Sequence, residues 1–319
     1  MKAMLKKYYL QILVVLLLIT IAWVLLLIGK DNKPMQANIN QTQGDKIIST
    51  LPVIENAESN FLPIRNWAII EPEISAKSAI ILNFRNNRKD NTLYQKNTGR
   101  ILPIASLTKL MTAIVVMENY DLEKIIEISE NSILVDGTSG GLVVGEKLKI
   151  KDLLYIMLVQ SSNDAAMSLA QDNPDMPYES FINLMNGKAT ELGLMNTSFK
   201  EPVGLDSFNQ STTSEIAVIT EYVFQFPLLA EILKTSEATI YSIDKNIIHK
   251  ITNTNQLLGK IPQLIGGKTG YTGEAGGCLM TISNIESTNY LITVVLGSTQ
   301  REIDTEKLID WAQTAWIWQ

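Results

Sequence analysis

Apolar and polar positions divide this chain into stretches that obey different rules. Residues 8–29 contain no charged side chain and are dominated by Leu, Ile and Val. At about 1.5 Å per residue, a helix of that length spans the roughly 30 Å hydrocarbon core of a bilayer. Lys2, Lys6 and Lys7 precede it, and Lys30, Asp31 and Lys33 follow it. The basic excess on the short N-terminal side predicts a cytoplasmic N-terminus and an exported C-terminal part. A cleaved signal peptide has a shorter apolar core, about 7–15 residues, ending at small residues. Here the run reaches Ile28-Gly29-Lys30-Asp31 without that ending, which favours an uncleaved anchor. Residues 30–66 are rich in Asn, Gln, Ser and Pro and lack sustained periodicity. That is the pattern of a flexible linker. The expected division is therefore a cytoplasmic tail and transmembrane anchor over 1–29, a linker over 30–66 and a globular domain over 67–319.

Within that domain, residues 78–84 read as a buried strand, 86–91 as a turn and 92–96 as a second strand. Residues 106–119 carry Leu107, Leu110, Met111, Ile114 and Val115 at helical spacing. Residues 151–159 and 164–170 look like two helices broken at Ser161. A further helix over 178–192 is stopped by Gly193, and one over 214–226 is stopped before Pro227. Strands follow at 264–270, 278–284 and 290–296, and a last helix begins near Asp304. Strands early and late, with helices between, predict an α+β fold: one mostly antiparallel sheet of about five strands, flanked by helices and carrying a helical subdomain. Leu308, Trp311, Ala315 and Trp318 form a stripe expected to pack on that sheet.

Composition narrows the chemistry. Net charge is −6 and no basic run is long enough to bind nucleic acid. The single cysteine, Cys278, excludes an internal disulfide and reads as a buried strand thiol. The single histidine, His249, has no His or Cys cluster beside it, so no metal and no cofactor are expected.

The candidate chemistry lies in Ser106-Leu107-Thr108-Lys109, Ser161-Ser162-Asn163 and Lys268-Thr269-Gly270. Ser-x-x-Lys recurs at Ser242-Ile243-Asp244-Lys245, and Ser-x-Asn recurs at Ser129, Ser207 and Ser287, so neither pattern is specific alone. Order and context are. Ser106 and Lys109 are three apart and share one face of a helix, where they can hydrogen-bond. A serine needs a base to become nucleophilic. A lysine serves only if burial or a second cation keeps it neutral. Ile104, Leu110 and Met111 supply burial, and Lys268 the cation. Ser161 and Asn163 at a helix break can face a cleft, the one passing a proton and the other holding a substrate amide. They equally suit a helix cap, and Ser162 is a register rival of Ser161. Lys268 and Thr269, with Gly266, Gly267 and Gly270 around them, suit a strand edge that binds a carboxylate.

The three strings, together with residues 103–113, Asn163-Asp164-Ala165-Ala166, residues 192–199, Gly204-Leu205 and residues 267–277, resemble the low-molecular-weight penicillin-binding proteins. These are serine D-alanyl-D-alanine carboxypeptidases or endopeptidases. The resemblance covers about residues 74–311 and implies the penicillin-binding protein/β-lactamase-like fold. It implies Ser106 as the acylated nucleophile, Lys109 as its base, and Ser161 and Asn163 in proton transfer and substrate positioning. Lys268, Thr269 and Gly270 would hold the terminal carboxylate, and the N–H groups of Ser106 and Tyr271 the oxyanion. Arg301 resembles an arginine that some members place near that carboxylate. Glu179 and Asn183 superficially resemble the deacylating region of class A β-lactamases, but their helical pattern predicts an exposed face. The implied partners are peptidoglycan peptides ending in D-Ala-D-Ala, β-lactams as covalent inhibitors, and the bacterial cell membrane, with the catalytic domain on its extracytoplasmic side. Endopeptidase, β-lactamase and a non-catalytic sensor or wall-binding module are the alternatives.

Overall fold

The structure, a computed structural model, describes residues 63–318 except 86–87 and 287–288. The expected anchor and nearly all of the linker lie outside the described residues. The five strands of the central sheet are β1 (Ser78–Arg85), β2 (Arg88–Lys96), β3 (Leu264–Thr272), β4 (Gly276–Glu286) and β5 (Asn289–Ser298). Their spatial order is β3-β4-β5-β1-β2, with every pair antiparallel and β3 at one edge. The expected turn over 86–91 is shorter than its polar composition suggested. β2 begins at Arg88 and pairs back to Arg85; it is the outer strand on that side of the sheet, where polar residues are common.

Both faces of the sheet are covered, which explains the unbroken apolar run in β1. Side chains alternate across a strand, so Ala79 and Ile81 join one cluster while Ile80 joins the other. On the first face lies α8 (Arg301–Ala315, the numbering following chain order). Its Leu308, Trp311, Ala312 and Ala315 pack with Ile81, Leu93, Leu291 and Val295, as the sequence stripe predicted. Trp318 lies beyond the helix and packs against the same cluster. The second face carries the larger, helical part: α1 (Thr108–Asn119), α2 (Glu130–Ile133), α3 (Ile150–Val159), α4 (Asn163–Gln171), α5 (Tyr178–Glu191), α6 (Thr213–Val223) and α7 (Pro227–Lys234). α1 is buried along Thr108–Val116 and forms the centre of this cluster.

α7 corrects the sequence reading. Pro227 does not end the preceding helix, which already stops at Val223; it starts the next one. Proline at a first helical position loses no hydrogen bond, and Leu229, Ile232 and Leu233 then bury one face. Among the described residues no single helix is long and apolar enough to cross a membrane; α6 and α7 reach that length only together, across a 111° bend.

α8 also starts earlier than expected, at Arg301, because Asp304 organises its first turn. Its carboxylate accepts from the Ser75 and Ala76 amides and from the Ser75 and Ser298 hydroxyls. Burial pushes this carboxyl up, but those donors outweigh it and hold it below its ordinary value. The stabilisation is therefore present above the usual carboxylate range and is lost as pH falls through the folded value. Asp304→Asn should lower the unfolding free energy measured by urea titration at pH 7 by about 1–3 kcal/mol, the cost of the orphaned donors. The gap to the parent should narrow toward pH 3.

Candidate active site

Ser106 sits in a 3₁₀ turn, Ala105–Leu107, that leads directly into α1. The helix was expected to begin at Ser106. Ala105 instead adopts φ +48°, a strained conformation for a residue with a Cβ and one found mainly where function requires it. Lys109, one turn further on, is fully buried. Its Nζ lies 2.8 Å from each of Ser106 Oγ, Asn163 Oδ1 and the Val203 carbonyl oxygen. Burial pulls its pKa down to about 7, against the opposing pull of Glu201 and Asp164. The ammonium donates to all three neighbours. The neutral amine keeps two N–H donors for Asn163 and Val203 and turns its lone pair to the Ser106 hydroxyl, which then donates. The same geometry thus holds both protonation states.

Ser161 occupies the break between α3 and α4 with φ +62°. Its Oγ accepts from Lys268 Nζ at 2.6 Å. Ser162 is the helix cap: its Oγ accepts from the Ala165 amide and donates to Asp164. The register ambiguity in the sequence is therefore resolved into two adjacent serines with two jobs. Asn163 donates to the Asp136 carbonyl at 2.6 Å through Nδ2, and its amide donates to the Thr138 carbonyl at 2.7 Å. The Asp164 carboxylate accepts from Ser139 Oγ and from the amides of Gly140 and Leu142. These bonds hold the 136–142 loop beside the Ser161 turn.

Lys268 is buried on β3. It donates to Ser161 Oγ and, at 2.8 Å, to the Thr269 carbonyl. Burial, then Lys109, then Arg301 hold its pKa well below the ordinary lysine value. Thr269 Oγ1 shares a 2.6 Å hydrogen bond with Thr254 Oγ1. The neighbouring glycines differ in purpose. A Cβ at Gly270 would stand 2.9 Å from the Ser106 amide nitrogen and 3.1 Å from Ala105 Cβ, so glycine lets β3 press against the Ser106 turn. Gly266 and Gly267 do not face that turn. Their missing Cβ atoms make room for the Leu233 backbone and for Met280 O and Asn255, respectively. Tyr271, at the end of β3, is 71% exposed. Arg301 Nη1 donates to the Gly270 carbonyl at 2.7 Å, while its Nε pairs with Glu302. That bond brings the first residue of α8 to β3.

The structure therefore brings Ser106, Lys109, Ser161, Asn163, Lys268, Thr269, Gly270, Tyr271 and Arg301 to one place. Val203 and Thr254 were not foreseen. The first contributes a backbone carbonyl, which has no side-chain signature, and the second is an ordinary loop threonine. The rival motifs separate cleanly. Ser242 to Lys245 form the turn of a hairpin between Glu237–Tyr241 and Ile248–Thr252, with Ser242 bonded to Asp244. Ser129 caps α2, and Asn209 is buried in hydrogen bonds to the 200–201 backbone. Glu179 and Asn183 lie exposed on α5, as expected. Cys278 is a buried strand thiol, its pKa pushed up to about 11 by burial. His249 has a partner that its sequence neighbours did not reveal, Glu146 Oε1 at 2.6 Å.

Comparison with known proteins agrees with this geometry. The sequence profile of the D-alanyl-D-alanine carboxypeptidase family matches residues 66–300. A D-alanyl-D-alanine endopeptidase of Pseudomonas aeruginosa is 34% identical over 254 residues, covering 78% of this chain and 80% of that one. The D-alanyl-D-alanine carboxypeptidase DacF of Bacillus subtilis is 34% identical over 247 residues, covering 74% of this chain but 62% of its own length. Among solved structures, the Streptomyces K15 DD-transpeptidase superposes with a TM-score of 0.71 at 29% identity, over 77% of this chain and 100% of that one. A buried lysine against a serine, on this sheet and in this company, leaves one assignment: the chain belongs to the D-alanyl-D-alanine carboxypeptidase family of serine DD-peptidases.

Proposed function

We propose that this DD-peptidase is a membrane-anchored carboxypeptidase that removes the terminal D-Ala of peptidoglycan stem peptides outside the cytoplasm. The observation that carries the chemistry is the 2.8 Å approach of a fully buried lysine amine to Ser106 Oγ. Lys109 takes the Ser106 proton as the oxygen attacks the carbonyl between the two D-Ala residues. The N–H groups of Ser106 and Tyr271 receive the developing oxyanion. Ser161, held by Lys268, passes a proton to the departing amine. Asn163 holds the substrate backbone, and Lys268, Thr269 and Arg301 face the terminal carboxylate, which an adjacent cation and hydroxyl suit. Water then releases the acyl group. β-Lactams, an amide and a carboxylate in similar relation, acylate the same serine. The charge-free run over residues 8–29 supports the anchor.

A second reading, endopeptidase action on cross-links, is favoured by the names of some relatives. Incubation with a D-Ala-D-Ala pentapeptide and with a cross-linked dimer separates the two. Free D-alanine from the monomer is expected; cleavage of the dimer alone would replace this reading. After penicillin, mass spectrometry should place one adduct on Ser106. An adduct elsewhere, or none, would discard the site.

Lys109 must be neutral to act, and its pKa is near 7. The second-order rate of acylation by a chromogenic β-lactam should therefore be level above that pH and fall about tenfold per unit below it. A profile flat to pH 5 would exclude an amine base of this kind.

A further inference from the structure

The loop after α5 carries a carboxylate that none of the three strings includes. Glu201 folds back on its own loop. Its Oε2 accepts from the Val203 amide at 2.5 Å. Its Oε1 accepts from the amides of Gly204, Leu205 and Asp206 at 2.6, 2.8 and 3.3 Å and from Asn209 Nδ2 at 2.9 Å. A single carboxylate gathering four successive backbone donors fixes the path of residues 203–206. Two more bonds tie the same loop to α1: Thr112 Oγ1 donates to the Pro202 carbonyl at 2.6 Å, and Asn209 Nδ2 reaches Thr108 Oγ1 at 3.2 Å.

What this loop presents is specific. The Val203 carbonyl, one residue beyond Pro202, is one of three acceptors on Lys109 Nζ. Gly204 packs so closely on the nucleophile turn that its missing Cβ would stand 2.0 Å from the Ala105 carbonyl oxygen. One side chain thus positions the third acceptor of the general base and backs the turn that carries Ser106. Glu201 is also a negative charge beside a lysine buried among few others. Among the described residues, the other charged groups that act on that amine include Asp164 from α4 and Lys268 from β3, with Arg301 of α8 acting on Lys268. Burial disfavours the ammonium, and Glu201 opposes that effect more strongly than Asp164 does.

We propose that Glu201 is a positioning residue for Lys109: it holds the Val203 carbonyl against the amine and carries a negative charge on the loop that bears that carbonyl. The proposal rests on the acylation of Ser106 set out above. The two functions separate in an acylation–pH profile. Loop position governs the plateau reached when Lys109 is neutral; the midpoint of the acid limb follows the charge together with the Val203 acceptor, and a variant that keeps the charge tells the two apart.

The test uses the full-length protein, a chromogenic β-lactam and pH 4.5 to 9, with circular dichroism to confirm folding. Glu201→Gln removes the charge and retains one acceptor oxygen. Its acid-limb midpoint should move down by about one pH unit, the effect of losing one close opposite charge, while its plateau falls. Glu201→Asp keeps the charge on a shorter stem, so its midpoint should remain within about 0.3 unit of the parent whatever its plateau does. An unmoved midpoint in Glu201→Gln, with only the plateau lowered, overturns the electrostatic role and leaves a purely structural one. A midpoint displaced in Glu201→Asp as far as about one unit also overturns it, and this variant decides the matter if the amide variant does not fold. Failure of the parent protein to form an adduct on Ser106 would instead discard the catalytic reading, not this inference alone.

Discussion

Lys109→Ala is expected to lower the rate of Ser106 acylation by about 10²–10⁴-fold, the usual contribution of a positioned general base. Ser106→Ala should abolish the adduct. Among the described residues no other titratable side chain hydrogen-bonds to Ser106 Oγ, so the loss should persist across pH. A second consequence separates this variant from a misfolded one. Between about pH 7 and the ordinary lysine value of 10.5, the unfolded chain binds a proton on this side chain that the folded chain does not. Stability therefore rises with pH across that window, and at neutral pH the lysine is a burden on the fold. Lys109→Met, close in length and uncharged, should retain or gain thermal stability at pH 7 while losing acylation. A large fall in melting temperature together with undiminished penicillin labelling would refute the assignment of this amine as base.

Gly204→Ala should be the most damaging single-methyl change in the molecule. The residue has φ +98°, and the added Cβ would stand 2.0 Å from the Ala105 carbonyl oxygen and 2.9 Å from the Ser106 amide nitrogen. Those atoms are backbone and cannot swing aside. Conformational strain alone costs about 1–3 kcal/mol. Displacing the nucleophile turn by even about 1 Å should reduce acylation by a further factor on the order of 10². Gly193→Ala is the control: it also has positive φ, +73°, but nothing lies within 4 Å of the added atom. It should lose stability and keep its rate per folded molecule. Equal acylation by the two variants, each normalised to folded protein, would show that the 204 loop does not hold Ser106 in place.

The contrast between what was legible in the sequence and what was not follows physical lines. β1 and β5 were readable because both of their faces are buried, which leaves an apolar run that few other structures tolerate. Ser106, Lys109 and Lys268 could be singled out because the chemistry proposed for them demands particular side chains at a helix start and a strand end, and the structure brings them together. Ser161 and Ser162 were not separable, since both residue types suit a helix cap; only the φ of +62° at Ser161 turns one hydroxyl toward Lys268. Pro227 was misread because proline both ends and begins helices, and the apolar face that decides between them, Leu229, Ile232 and Leu233, lies beyond it. The Val203 carbonyl and the His249–Glu146 pair depend on chain crossings that no local pattern encodes.

β3 has a paired neighbour on one side only. Its outer margin offers main-chain donors and acceptors to whatever lies alongside. A ligand docked there extends the sheet by one more rung and is gripped by its amides more than by its side chains. Such a margin distinguishes poorly between molecules that share the spacing of a carbonyl and an acid group. Under the proposed function, such a margin would suit both a flexible natural peptide and a rigid bicyclic drug that imitates only its backbone.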